Sequence, residues 1–232
     1  MSQLNLNDLS EQERSTLSGL LARLGGSSSP GEPPNAAGEA PSDRPKKKRH
    51  GSDTVDYLTT DEWDRLLKVI TSPRDRALFI VAYHRGLRAS ETGGLQLADV
   101  RLKDERIQIN RLKGSSSGEY HLCASEIRAL KIWLKVRGYE PGPLFITRCG
   151  TGISQQRQDI LMKRYGALAM IPVEKRHMHT LKHTCATHLF DRGESIEDVQ
   201  DHLGHRNIQN TLIYAKFTSK RRQERDKRLR DW

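Results

Sequence analysis

Residues 25–52 divide this chain. Fifteen of those 28 residues are glycine, proline or serine, a composition with too little apolar surface to offset the entropy of ordering it. The reading is a flexible linker over 25–52, reaching roughly 30 Å if it behaves as a random coil. Folded structure must therefore lie on either side of it. On the short side, residues 1–24 read as one helix: Ser10 and Glu13 have capping-box spacing, and Leu17, Leu20, Leu21 and Leu24 fall on one face before Gly25-Gly26. A single apolar stripe cannot bury itself, so this helix either pairs with a partner chain or frays. Inside the linker, Pro45-Lys46-Lys47-Lys48-Arg49-His50 reads as a nuclear-import signal, as a basic arm on phosphates, or as a solvated charge run.

On the long side, residues 53–232 read as one domain. Thr59 and Glu62 form a capping box that opens a helix through Trp63, Leu66, Leu67 and Ile70. Ser72-Pro73 places an N-cap before a proline at the first helical position, and that helix runs to Gly86. Its stretch Ala77–Tyr83 is apolar all round, which predicts a central buried helix. The period then drops from 3.6 to 2. Arg106–Ile109 and Tyr120–Leu122 flank a tip at Lys113–Gly118, predicting a short β-hairpin. Helical spacing resumes at Ile127, Leu130 and Leu134 and stops at Gly138. It returns over 154–169, 180–191, 195–202 and 207–214, followed by a charged terminal segment. The fold class expected is mainly α with a small antiparallel β-sheet.

Composition narrows the function. Mean hydropathy is −0.72, and no apolar run approaches the ~18 residues of a membrane span. The first 24 residues lack the basic start and apolar core of a secretion signal. Cys123, Cys149 and Cys185 are odd in number and widely spaced, which excludes a disulfide framework or a four-cysteine zinc site and points to a reduced, intracellular setting. Lys and Arg total 39 against 29 Asp and Glu, a formal charge of +10. The surplus is concentrated late: residues 216–232 hold eight basic and three acidic residues, whereas 1–52 hold seven and six. Such a charge suits nucleic acid but does not require it.

Three segments carry chemistry. They are Gly86-Leu87-Arg88-Ala89-Ser90-Glu91, the run from His179 through Lys182 and His183 to His188, and Leu203-Gly204-His205-Arg206 continuing to Tyr214. From about Tyr57 to the C-terminus these segments resemble the tyrosine recombinases, the phage integrase family. The likeness is strongest to short forms similar to the recombinases that invert fimbrial promoter switches. Its most specific part is the histidine nine residues before the tyrosine.

The resemblance implies a tyrosine recombinase catalytic domain that cuts and rejoins DNA through a 3′-phosphotyrosyl intermediate, in integration, excision or inversion. Displacement at a phosphodiester needs a nucleophile, positive charge on the non-bridging oxygens and a proton for the leaving oxygen. In this resemblance Tyr214 is the nucleophile, Arg88 and Lys182 clamp the phosphoryl oxygens, and His205 donates a hydrogen bond to them. His179, on the helical face of Lys182, accepts the tyrosine proton or positions an oxygen. Lys113 in the hairpin is the general acid, with Lys103 a nearby alternative. Lys113, Lys182, Arg206, Lys216 and Lys220 are the candidate DNA contacts. The covalent intermediate conserves bond energy, so no cofactor, ATP or metal is implied. The partners implied are double-stranded DNA with an inverted-repeat site, a homotetramer on DNA and accessory DNA-bending proteins, in the cytoplasm. Leu229 and Trp232 would anchor the terminal segment on a neighbouring protomer.

Two departures from the family pattern stand out. Lys182 occupies the place of an arginine, keeping the charge and losing the planar fork. The helical DNA-clamping domain that larger members carry at the N-terminus is replaced by a linker and a stub. Other readings of the same residues remain open. His177, His179, His183 and His188 beside Cys185 could form a zinc cluster. Residues 195–214 could form a helix-turn-helix of a non-catalytic regulator, and an impaired recombinase would share that sequence.

Overall fold

The computed structural model describes residues 55–111, 116–215, 226–227 and 229–230. The N-terminal helix, the linker, Lys113, Lys216, Lys220 and Trp232 lie outside them. Eight helices and three short strands are described: α1 Thr60–Val69, α2 Pro73–His84, α3 Ala89–Gly94, β1 Val100–Arg101, β2 Arg106–Ile109, β3 Gly118–His121, α4 Ala124–Arg137, α5 Gln155–Leu168, α6 His179–Asp191, α7 Ile196–Leu203 and α8 Gln209–Ala215.

The helix starts follow from their caps. Thr59 Oγ1 accepts from the Glu62 N–H at 3.2 Å while the Glu62 carboxylate accepts from the Thr59 N–H at 2.8 Å. Ser72 caps α2 ahead of Pro73. Every residue from Ala77 to Tyr83 is buried, so α2 is the central helix that its uniform hydrophobicity predicts. It packs on α4 and α6, and Trp63 of α1 lies 4.2 Å, centroid to centroid, from Tyr83. The predicted helices agree with α5 to α8 to within one or two residues at their ends, and α4 stops before Gly138 as expected but starts at Ala124, three residues ahead of Ile127.

The sheet is larger by one strand than the predicted hairpin. β1, β2 and β3 pair antiparallel in that order, with Val100 opposite Ile107 and Ile107 opposite Tyr120. Two residues of β1 are too few to display a period. Ile107 and Ile109 face the core, and Arg106 and Gln108 are half-buried. The second strand of the hairpin ends at His121, and Leu122 packs into the core beyond it. Helix α3 was also outside the prediction.

Two glycines set how closely the layers approach. Gly86, at φ +55°, turns the chain out of α2; a Cβ there would lie 2.4 Å from Leu203 Cδ2. Gly204, at φ +64°, ends α7; a Cβ there would lie 2.5 Å from Arg111 Cδ and 2.7 Å from the Ser116 carbonyl oxygen. Both positions favour glycine by backbone conformation and by contact.

Behind the loop that follows α2, Arg85 grips Glu126 with two hydrogen bonds of 2.8 and 2.7 Å. Both residues are buried, and the same carboxylate accepts from the Cys123 N–H at the start of α4. Removing one partner of a buried pair strands the other charge and costs about 3–5 kcal/mol. Glu126→Ala is expected to lower the free energy of urea unfolding by that amount, whereas a change below 1 kcal/mol would mean the pair is not strongly coupled to the fold.

Candidate active site

Each of the three chemistry-bearing segments ends where two elements meet. Arg88 is the N-cap of α3. Its backbone N–H donates to Glu91 Oε2 at 2.9 Å, and its Nη1 donates to Glu91 Oε1, also at 2.9 Å. The Arg88 side chain is 36% exposed and Glu91 is 1% exposed, so a buried carboxylate holds both the backbone and the guanidinium of a half-buried arginine. Burial alone would raise the Glu91 pKa. The Arg88 N–H and the charges of Arg111 and Lys182 outweigh it and hold the carboxyl below its usual range.

Lys182 is buried, with 2% exposure. Its ammonium donates to the Leu203 carbonyl, the last of α7, at 3.2 Å, where the helix dipole favours a cation. Burial, with Arg111 and then Arg88 nearby, pulls its pKa down to about 7. This lysine is a held group rather than a mobile point charge.

His205 follows the Gly204 turn. Its Nδ1 faces Thr211 Oγ1 of α8 at 2.9 Å, and its backbone carbonyl accepts from Gln200. Burial and the positive charges of Lys182, Arg88 and Arg111 push its pKa down to about 4. With the ring neutral and Nδ1 engaged, Nε2 is the nitrogen left to meet a phosphate oxygen.

Tyr214 is buried at 2% exposure. Its hydroxyl lies 2.8 Å from Nδ1 of His183. Burial pushes the phenol up to about 12, with Cys185 adding to the shift and Arg88 opposing it. His183 is pushed down to about 3 by burial and by His179, His177, Lys182 and His205 around it, so its ring is uncharged and Nδ1 can accept a hydrogen bond from the phenol. The resemblance gives His179 as the acceptor of the tyrosine proton or as a group that positions a phosphate oxygen. The phenol's hydrogen-bond partner is His183, and His179 lies edge-on to that ring, centroids 4.4 Å apart. Spacing along the helix does not distinguish two histidines four residues apart.

Arg111, at the end of β2, was not singled out from the sequence. It is fully buried in side chain and reaches Glu91 Oε2 at 3.4 Å. Arg206 is exposed beside the site, and Lys103 is exposed in the β1–β2 turn. Leu229 is 60% exposed. Among the described residues no group of three or more His, Cys, Asp or Glu could hold a metal ion, so His177, His179, His183, His188 and Cys185 do not converge as ligands. Nor is any described helix long and apolar enough to cross a membrane.

Residues 56–221 match the family model described as the phage integrase family. The chain belongs to that family. It is 34% identical over 168 residues to the type 1 fimbriae regulatory protein FimE of Escherichia coli K12, covering 68% of this chain and 84% of the relative. Among solved structures, the XerA recombinase superposes with a TM-score of 0.68 at 25% identity, over 77% of this chain and 65% of that one. The XerH recombinase bound to a palindromic difH substrate in a post-cleavage complex gives 0.64 at 27%, over 73% and 52%. The chain thus spans about half to two-thirds of the length of those two solved proteins.

The buried histidines make stability pH-dependent. Burial lowers His183 to about 3 and His202 and His205 to about 4 in the fold, against ~6.5 when unfolded. Below pH 6.5 the unfolded chain binds protons that these rings exclude in the fold, so their contribution is full above that pH and declines as pH falls toward 4, offset in part by Glu126, which burial raises to about 7. Each histidine contributes up to about 1.4 kcal/mol per pH unit in this window. Urea unfolding is expected to show a midpoint falling steadily from pH 7 to pH 5. A flat profile would mean these rings are charged in the folded protein.

Proposed function

We propose that this chain cuts and rejoins double-stranded DNA at a specific site, with Tyr214 forming a 3′-phosphotyrosyl bond. The supporting observation is that one cluster unites residues from three distant segments. Arg88 and Lys182 supply positive charge for the non-bridging oxygens, and neutral His205 offers a hydrogen bond to the same group. The phenol meets His183, which takes its proton as the Tyr214 oxygen bonds to phosphorus and the bond to the 5′ oxygen breaks. Lys113, outside the described residues, is assigned the proton for that leaving oxygen. Reversal by a new 5′ hydroxyl restores the phosphodiester, so every bond broken is remade and no cofactor is consumed.

A non-catalytic helix-turn-helix would present the side chains of its second helix to bases. Here α8 turns Tyr214 inward onto α6 instead, which favours the enzyme. The proposal extends to an inverted-repeat site, a homotetramer on DNA, accessory bending proteins and a place on cytoplasmic, nucleoid DNA. The DNA-bound state of XerH supports duplex DNA as the partner. Arg206, Lys216 and Lys220 are proposed contacts to its backbone.

A nicked suicide substrate carrying the natural site is expected to trap a covalent adduct with the wild-type protein. Tyr214→Phe should abolish the adduct and leave DNA affinity nearly unchanged; an adduct surviving in that variant would remove Tyr214 from its role.

Charge at Lys182 is needed most as the phosphoryl group becomes more negative in the transition state. Lys182→Ala is therefore expected to lower single-turnover cleavage by ~10²–10³ with affinity changed only a few-fold. Cleavage at the wild-type rate would mean that this ammonium does not reach the phosphate.

A further inference from the structure

We infer that Arg111 is a positioning residue for the second phosphate clamp, fixing Lys182 by joining both walls of its pocket and adding a fixed positive charge beside it. This rests on the recombinase reading for its catalytic consequence, but not for its geometry. The guanidinium is completely shielded from solvent. Nη2 donates to the Arg85 carbonyl at 2.9 Å and to the His202 carbonyl at 2.8 Å, while Nη1 lies 3.4 Å from both the Gly86 carbonyl and Glu91 Oε2. One planar group therefore ties the α2 exit, the α3 carboxylate and the end of α7 to strand β2.

The end of α7 is where Lys182 is held. Arg111 takes the His202 carbonyl and Lys182 takes the next one, Leu203. Glu91, in turn, is shared between Arg111 and Arg88. Arg88 thus shares a carboxylate with Arg111, and Lys182 is held by the carbonyl next to the one that Arg111 takes. Gly204 leaves room for this arrangement, since any Cβ there would meet Arg111 Cδ and Nε at 2.5 and 2.6 Å. A lysine at this place would match only part of it: the two terminal nitrogens of the guanidinium reach four acceptors, with Nε buried and unpartnered, whereas one ammonium can reach fewer of them.

The groups around Lys182 can be named element by element. Arg111 comes from the end of β2, Arg88 and Glu91 from α3, and Cys185 from its own helix. His179 and His183 of α6, and His205 after α7, complete the set. Glu91 favours the charged lysine; burial, Arg111 and Arg88 oppose it. An arginine in place of Lys182 would stay charged at any working pH, but this lysine is a working cation only below the pH at which it titrates, about 7 in the free protein. Arg111 is the largest charged contributor to that position.

Adduct formation at subsaturating DNA reports groups of the free protein, so its pH profile should carry a basic limb from Lys182, lost in Lys182→Arg. Arg111→Leu removes both the ties and the charge. Expected are a ~10–100-fold loss in rate from the misplaced clamp and a limb displaced to higher pH, because Lys182 has lost a neighbouring cation. Arg111→Lys keeps the charge and should hold the limb in place while recovering only part of the rate. A purely structural role would lower the rate in Arg111→Leu without moving the limb, and that result, or a wild-type rate, overturns the inference. Carbon NMR of the Lys182 Cε, assigned with Lys182→Arg, follows the same titration without DNA. An unmoved titration in Arg111→Leu overturns the inference even if no adduct forms in the wild type, an outcome that would separately remove the recombinase reading. Should Arg111→Leu not fold, Arg111→Lys decides: a wild-type rate or a displaced limb overturns it.

Discussion

One carboxylate makes the site possible. Glu91 is buried, and the cations packed around it are Arg88, Arg111 and Lys182. Positive charges taken out of water repel one another and lose hydration, a cost of several kcal/mol per ion that only partners can offset. Glu91 is one such partner, gripping Arg88 through its backbone and side chain and facing Arg111. The carbonyls at the ends of α2 and α7 supply the rest. A net excess of positive charge survives this arrangement. A phosphodiester entering the site would complete the neutralisation, so binding energy is stored in an under-neutralised pocket rather than in any one contact.

The rest of the fold serves that placement. From Ala77 to Tyr83 helix α2 is apolar on every side and buried, and its exit at Gly86 delivers Arg85 to Glu126 and Arg88 to Glu91 within four residues. A buried ion pair before the turn, Arg85 with Glu126, and a buried carboxylate after it, Glu91, fix the direction in which Arg88 points. Helix α6 runs alongside, setting Lys182 and His183 at adjacent positions that face different partners: the end of α7 and the phenol of α8. The proposed clamp and the histidine that meets the proposed nucleophile are therefore spaced by one helix, which suits a displacement in which attack and charge must be aligned.

How much of this was legible in the sequence depended on range. Helix starts were readable because a capping box is complete within four residues, as at Thr59 and Glu62. The central burial of α2 was readable because no face of its stretch Ala77–Tyr83 is charged. Helix α3 was not, since six residues ending in Gly93-Gly94 look like a turn. Its glycine is there for contact: a Cβ on Gly93 would lie 2.6 Å from the Ile153 carbonyl oxygen, so the residue that weakens helical propensity is the one that lets α3 approach the segment before α5. The site divided in the same way. Arg88, Lys182, His205 and Tyr214 were legible as a family pattern of spacings. The His183–Tyr214 hydrogen bond and the burial of Arg111 are tertiary facts between residues 31 and 91 positions apart in the longest cases, and no local period encodes them.

Lys182 shows why such tertiary facts matter to chemistry. Taken from sequence, a lysine in an arginine's place is a smaller, more mobile cation that has lost a fork of hydrogen bonds. In the structure the mobility is removed by burial and by the Leu203 carbonyl. A guanidinium fork is nevertheless present beside it, contributed by Arg111 from a strand. The fork there is spent on backbone carbonyls and on Glu91 rather than on solvent-facing space, so Arg111 does not replace an arginine clamp but builds the wall against which a lysine clamp can stand. The substitution also changes what the clamp can do. An arginine holds charge at every working pH, whereas a buried lysine among cations gains its proton only as pH falls or as a phosphate arrives to share the charge. In the proposed reaction the second clamp would thus be coupled to its own ligand: the anion that it binds would also restore its charge.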